Sequence, residues 1–400
     1  MAAPIPIERA FALILSNTPP APAEPVALSA SLGCFLAEDI RADRDLPPFN
    51  RSAVDGYAVF SSDTRSAPDV LEVIEEVPAG KTPQRALAPG QAIRIMTGAP
   101  LPAGADAVIM QERTGIPKPG FMRFEMTMRS GQNVSPRAID ARAGAVVLNA
   151  GSRIGPAEIG ILATVGCAQV NVRKRLSVAV LGTGDELVEP HEAPEPAQIR
   201  NSNSYQLIAQ CAEHRMETQY LGIARDNREE TRQRVEQGLA AGVFISTGGV
   251  SVGAHDHVGA AFAQLGVEIF FNKVAIKPGK PTTFGRRGET LVFGLPGNPV
   301  AALVCFHLFV LTAIRRRMGA ADPLPRWLSL PLLESAGSGG GDRTTFRPCK
   351  LTVKDGATYV NPVTWHGSGH LAALAGCDGL FVQKPGETLN AGEGVTYYPF

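Results

Sequence analysis

Apolar positions recur at helical spacing over residues 5–17 and predict an amphipathic helix, closed by Pro19 and Pro20. From Phe35 to Asn149 the pattern shortens to β-rich runs at 57–60, 70–77, 92–96 and 107–111, broken by Pro and Gly turns. Residues 156–165 (PAEIGILATV) predict another helix, with Pro156 suited to its first turn. At Leu176 the texture changes. The run 177–181 reads as an apolar strand ending in Gly-Thr-Gly, followed by a helix at 204–213, a strand at 217–224 and a polar helix from Asn227. The run 242–246 ends in Thr-Gly-Gly, and 291–295 ends in Pro-Gly-Asn-Pro before a long apolar helix. Strands alternating with helices predict βαβ units and a mostly parallel sheet covered on both faces. After Pro323, strand runs at 327–333, 350–353, 358–363, 379–382 and 395–399 with Gly-rich turns predict a small all-β tail, sandwich or barrel.

Composition sharpens this picture only in places. A chain of 400 residues exceeds one ordinary core, so two to four units are expected. With 44% hydrophobic and 19% charged residues the balance is globular rather than disordered. Lys plus Arg equals Asp plus Glu at 38 each, which leaves no electrostatic footprint for nucleic acid or a membrane. Any anion site must therefore be local. The cysteines Cys34, Cys167, Cys211, Cys305, Cys349 and Cys377 form no CxxC pair and no secreted disulfide framework. Glu8 and Arg9 precede the short apolar run at 11–15, and no cleavage pattern follows it. The stretch 300–314 contains His307 and ends at Arg315, Arg316 and Arg317, which suits a buried helix with a basic carboxyl end. A cytoplasmic location is expected.

In an open parallel sheet, ligands bind beyond the carboxyl ends of the strands. Three such ends carry glycine-rich loops: Gly182-Thr183-Gly184, Thr247-Gly248-Gly249 and Pro296-Gly297-Asn298-Pro299. Glycine lets backbone N–H groups approach a ligand, and a following helix terminus favours anions. One such loop reads as a tight turn; three on one sheet point to an anion cradle. None has Walker or dinucleotide spacing, which argues against an ordinary ATP or NAD site.

Carboxylates stand at the same strand ends: Asp185 and Glu186, then Asp226, then Asp256. Beside a phosphate they call for a bridging cation, and Mg²⁺ takes one or two carboxylates together with substrate oxygens. Asp226 also suits a helix cap, and Asp185 a turn. Lys273, Lys277 and Lys280 fall in NKVAIKPGKP, where alternation puts the first two on one face of an extended segment. There they would neutralise an oxyanion, or merely protect an edge strand. His255 and His257 flank Asp256 at a spacing able to hold a metal, yet no cysteine or third histidine stands nearby in sequence. No GxSxG nucleophile elbow is present.

Six stretches carry a resemblance: LPPFNRSAVDGYAV (46–59), IMTGAPLPAGADAVIMQE (95–112), LGTGDEL (181–187), STGGVSVGAHD (246–256), KVAIKPGKP (273–281) and GLPGNPVAA (294–302). In this order they resemble the motifs of the molybdopterin molybdenumtransferase family, which includes the carboxyl-terminal enzyme domain of gephyrin. The resemblance spans nearly the whole chain. It implies a multidomain fold, α/β plus β. Residues 1–45 and 141–175 would form an elongated, discontinuous N-terminal domain, and 46–140 a β-rich inserted domain. Residues 176–322 would form a central three-layer α/β molybdopterin-binding domain with a parallel-rich sheet, and 323–400 a small C-terminal β-barrel.

The family hydrolyses adenylylated molybdopterin, releases AMP and places molybdate on the dithiolene sulfurs, with Mg²⁺ as the usual cation. The resemblance also implies a homodimer whose site is shared between subunits, and molybdopterin adenylyltransferase, which makes the substrate, as a partner. Matched by motif, Glu186, Asp226 and Asp256 become the active-site carboxylates and cation holders. Lys273 and Lys277 become ligands for phosphate or molybdate. Lys280, Ser251 and the three glycine loops complete the substrate-binding set, with Ser368 (WHGSGH) and Arg347. Asp55 (SAVDGYA) and Thr97 (IMTGAP) would reach the cleft from the other subunit, and Asp140 is carried over in the same way. The stretch 133–140 departs from the pattern, with Ser135 in place of a basic residue and Ala138-Ile139 in place of Gly-Glu, while Asp140 is kept. Two other readings remain: a related pterin or nucleotide pyrophosphatase or adenylyltransferase, and a catalytically silent scaffold on the same fold.

Overall fold

The computed structural model describes residues 3–173, 175–249, 257–338 and 341–400, so Ser251, His255 and Asp256 lie outside the described residues. The chain divides into two compact units, one of Met1–Ala37, Gly151–Gly155 and Gln169–Phe400, the other of Glu38–Ala150 and Pro156–Ala168.

The larger unit is built on a six-stranded sheet. In chain order its strands are β1 (Ser177–Thr183), β2 (Glu217–Ala224), β3 (Val243–Thr247), β4 (Glu268–Phe271), β5 (Thr283–Arg287) and β6 (Thr290–Leu295), arranged β2-β1-β3-β6-β5-β4. The first four are parallel, and β5 and β4 are added antiparallel at one edge. The sequence pattern does not announce this edge: 268–271 and 283–287 are short, and Gly285 interrupts the apolar run. The three-layer arrangement follows from side-chain alternation. Val178, Val180, Val243, Ile245 and Phe293 enter one core with Leu207 and Cys211 of helix Asn203–Glu213 and Val304 and Leu308 of helix Pro299–Arg317. Ala179, Leu181, Phe244 and Val292 enter a second core with Val235 of helix Arg228–Gly238 and Phe262 of helix His257–Gln264. Strands buried on both faces need continuous apolar runs, and β3 and β6 are buried throughout.

Helix Pro299–Arg317 is long and apolar enough to cross a membrane, but 83% of it is buried inside the protein. Apolar on all sides, it is a core helix, with a π-turn at Phe306–Val310 and three arginines in its last turn. Helix Ile7–Ser16, grouped in the sequence with 141–175, packs Ala10 and Ile14 into this same core.

The tail forms a five-stranded ring. Ala357–Pro362, Thr344–Lys354, Gly379–Gln383, Gly394–Pro399 and Leu328–Pro331 pair in that order, and a bridge from Leu332 to Val360 closes the circuit. Leu332, Cys349, Val360, Phe381 and Tyr397 fill its interior. Strand Ile276–Lys277 pairs in parallel with Thr344 and Thr345, which fixes this ring to the lysine-bearing segment.

The smaller unit holds a mixed sheet ordered Ala107–Met110, Gly56–Val59, Gln91–Ile95, Asp69–Val77, Phe121–Phe124, Thr114–Gly115. Helix Pro156–Thr164 belongs to this unit and begins, as expected, at its proline.

Candidate functional site

The three glycine loops meet at the carboxyl ends of β1, β3 and β6, and side chains tie them together. Thr183 Oγ1 donates to the Thr247 carbonyl at 3.3 Å, and Thr247 Oγ1 donates to the Pro296 carbonyl at 3.2 Å. The Asn203 amide donates to Thr247 Oγ1 at 2.9 Å and to the Gly297 carbonyl at 2.8 Å. The backbones are correspondingly close: a Cβ on Gly248, which has a φ of +89°, would stand 2.5 Å from the Thr183 carbonyl oxygen. Only glycine fits there. Thr183 and Thr247 are buried with their hydroxyls committed, so they shape the cradle rather than line it. Asn203, the first residue of its helix, thereby ties two of the loops together.

The carboxylates separate by role. Asp185 Oδ1 accepts from the Asp226 backbone N–H at 2.9 Å, and Arg225 holds the Asp185 and Leu187 carbonyls. Asp185 is thus a turn residue. Asn227, not Asp226, caps the next helix by accepting from Glu229 and Glu230 N–H groups. Asp226 and Glu186 are left exposed, and neither side chain hydrogen-bonds to another described residue. Glu186 folds back over Gly184, whose φ of +138° suits glycine. Two free carboxylates with all-oxygen donors fit a hard cation that keeps most of its waters. Among the described residues no group of three such ligands forms.

Next to the β6 loop lies a cavity of about 250 Å³, lined by Lys277, Lys280, Arg343, Asn298, Trp365 and Ser368 among others. Among the described residues, its wall holds three cations and no carboxylate. The Asn298 amide donates to Ser368 Oγ at 2.9 Å, and Val300 N–H donates to the Ser368 carbonyl at 3.0 Å. These bonds hold the WHGSGH loop of the tail against the start of the core helix. Lys277 and Lys280 stand either side of Gly279, while Arg343 Nη1 donates to the Ile276 carbonyl at 3.2 Å. Lys273 is half-buried outside this wall, its carbonyl accepting from Ile5 N–H.

Arg347 is not brought to this cavity. Its Nη1 donates to the Ala336 carbonyl at 2.7 Å and to Gln383 Oε1 at 3.0 Å, and the guanidinium lies over the Phe381 ring at 5.3 Å. Burial lowers its pKa from the usual arginine value. Arg343 occupies the cavity instead. Sequence reasoning missed it, along with Asn203 and Trp365. Nothing in a single sequence distinguishes two arginines four positions apart, because either could open onto a site.

In the smaller unit, Asp55 Oδ1 accepts from both the backbone N–H and the hydroxyl of Thr97, each at 2.7 Å. These two bonds hold the Asp55 carboxyl below its ordinary pKa. Sequence-distant Asp55 and Thr97 are therefore one constellation. Asp140 is exposed on the departing loop, where Arg137 pairs with Asp45 and Ala138 takes a φ of +60°.

Comparison with known proteins covers the whole architecture. Residues 5–166 match the MoeA N-terminal region (domain I and II), 179–316 a probable molybdopterin binding domain, and 333–400 the MoeA C-terminal region (domain IV). A molybdopterin molybdenumtransferase of Bacillus subtilis is 41% identical over 320 residues, 78% of this chain and 74% of the relative. One from Staphylococcus aureus is 35% identical over 388 residues, 96% of this chain and 92% of the relative. A solved molybdopterin biosynthesis MoeA protein from Pyrococcus horikoshii superposes with a TM-score of 0.83 at 28% identity, covering 100% of both chains. Its strand-end loops, its tail ring and its matched regions together place this chain in the molybdopterin molybdenumtransferase (MoeA) family.

Proposed function

We propose that this protein inserts molybdate into adenylylated molybdopterin during molybdenum cofactor biosynthesis, hydrolysing the adenylate and releasing AMP. The observation that carries the reading is the cavity walled by Lys277, Lys280 and Arg343 beside the glycine cradle. Three cations, with no carboxylate among the described lining residues, suit a dianionic tetrahedral oxyanion, and the Asn298–Ser368 pair offers it polar contacts. The cradle of three glycine loops supplies close backbone approach for a phosphorylated pterin. Glu186 and Asp226 would hold Mg²⁺, with Asp256 a third candidate outside the described residues. When bound, that ion offsets charge on the pyrophosphate linkage. Positioning and electrostatics account for most of such phosphoryl chemistry, and these residues are arranged for both.

The reading extends to a homodimer in the cytoplasm, with Asp55, Thr97 and Asp140 contributed to the other subunit's cleft and the adenylyltransferase handing over substrate. The ready-made Asp55–Thr97 constellation, exposed enough to meet a ligand, supports that part. The test is reconstitution: the full chain receives adenylylated molybdopterin, Mg²⁺ and molybdate, while AMP and active cofactor are followed together. AMP and cofactor should rise in parallel. AMP without any requirement for molybdate would leave a pyrophosphatase, and no AMP with any divalent cation would leave a scaffold.

A further inference from the structure

The two cavity lysines are carried on a turn, Lys277-Pro278-Gly279-Lys280, and a buried pair of side chains lies directly beneath it. Thr282 Oγ1 donates to the Gly279 carbonyl at 2.6 Å and stands 3.0 Å from Cys305 Sγ of the core helix. Cys305 Sγ in turn lies 3.8 Å from the same carbonyl. Thr282 and Cys305 are both 0% exposed. Gly279 has a φ of +116°, and a Cβ there would sit 2.5 Å from Cys305 Sγ and 2.9 Å from Ile276 Cδ1. The turn is therefore pressed flat onto the helix, with no room for a side chain between them. Burial pushes the Cys305 thiol up to about 12, so it stays neutral and sets no negative charge under an anion-binding turn.

We infer that Thr282 and Cys305 are positioning residues which fix the geometry of Lys277 and Lys280, and so set oxyanion affinity without touching the oxyanion. Lysine stems are flexible, and their ammonium groups converge only as well as the backbone that carries them is held. The Thr282 hydroxyl donates to the Gly279 carbonyl at 2.6 Å, the Cys305 thiol is a second and weaker donor to it at 3.8 Å, and the Cys305 sulfur is also the surface against which Gly279 rests. Loosening either lets the two ammonium groups spread, which weakens binding while leaving the chemical step intact once the oxyanion is bound.

The inference rests on the oxyanion reading of the cavity, so the experiment separates the two. Molybdate binding to the full chain is measured by titration calorimetry for wild type, Lys277→Ala, Thr282→Val, Thr282→Ser and Cys305→Ala, with KM for molybdate and kcat measured in reconstitution. Thr282→Val keeps the volume and loses the hydroxyl; it should raise Kd and KM about fivefold, the worth of about one hydrogen bond, with kcat unchanged at saturating molybdate. Thr282→Ser keeps the donor and should restore affinity to within about twofold of wild type. If Lys277→Ala binds molybdate like wild type, the cavity reading fails. If Lys277→Ala loses binding while Thr282→Val keeps wild-type Kd and KM, the clamp alone is overturned. Should Thr282→Val not fold, Cys305→Ala carries the same comparison, and wild-type affinity in that variant overturns the clamp.

Discussion

Replacing Asn203 by alanine or aspartate tests whether the strand-end loops are held by one amide. The Asn203 Nδ2 group donates at 2.9 Å to Thr247 Oγ1 and at 2.8 Å to the Gly297 carbonyl, and the residue is 8% exposed. Alanine removes two buried hydrogen bonds, each worth about 1 kcal/mol net, so a loss of about 2 kcal/mol is expected. For a unit of this size that is a Tm decrease of about 3–4 °C. Aspartate has the same shape but turns an acceptor toward two oxygen atoms, and a buried carboxylate so placed should lose at least about 1 kcal/mol more than alanine at pH 8. Its folded-state pKa must then lie above the unfolded value, because the protonated form can donate to the Gly297 carbonyl. A raised folded pKa means stability is fully present at low pH and is lost as pH rises through that pKa. Guanidinium denaturation of wild type, Asn203→Ala and Asn203→Asp at pH 5 and pH 8 reads this directly. Asn203→Asp should approach Asn203→Ala at pH 5 and fall below it at pH 8. An alanine variant within about 0.5 kcal/mol of wild type would show that the amide does not hold the loops.

Three further outcomes follow from the geometry. Molybdate at about 100 times its Kd should stabilise the protein by about 2.7 kcal/mol, and Arg343→Ala should lose most of the resulting thermal shift while Arg347→Ala keeps it; equal shifts in Arg343→Ala and wild type would contradict the cavity assignment. His307 is 4% exposed and burial pushes its pKa down to about 3, so the folded protein resists its protonation and stability falls as pH drops from about 6.5 towards 3. Chemical denaturation across that range should show a shallower pH slope for His307→Phe than for wild type; identical slopes would refute the assignment. Ala138 holds a φ of +60°, a left-handed conformation, so Ala138→Gly should gain about 1 kcal/mol in a urea melt, and no gain would show that the loop is not strained.

Much of this fold is legible in the chain because it is written in short-range patterns. Apolar runs bounded by glycines mark β1, β3 and β6, and an all-round apolar stretch marks the core helix. The antiparallel edge formed by β4 and β5 is less legible, since five residues interrupted by Gly285 carry too little periodicity to separate from a loop. The tail strand expected from 350 begins at Thr344, where the chain pairs with Ile276–Lys277 almost seventy residues earlier. Local pattern holds no trace of that partner.

The candidate site divides in the same way. Glycine at 182, 184, 248 and 249, carboxylates after the strands, and lysines around Pro278 and Gly279 are chemical types, and the sequence by itself determined that they exist and roughly where along the sheet they stand. Which of them point inward was decided by the tertiary structure alone. Asp185 and Asp226 are the same residue type, yet the Asp185 carboxylate accepts the Asp226 backbone N–H, leaving only the Asp226 carboxylate free. Arg343 and Arg347 carry identical groups, but the second spends its hydrogen bonds on Ala336 and Gln383. Asn298 meets Ser368 across a separation of 70 residues. Periodicity and backbone preference act over a few residues and can be read in order; contacts between remote side chains depend on how layers pack, and that is settled only when the whole core closes.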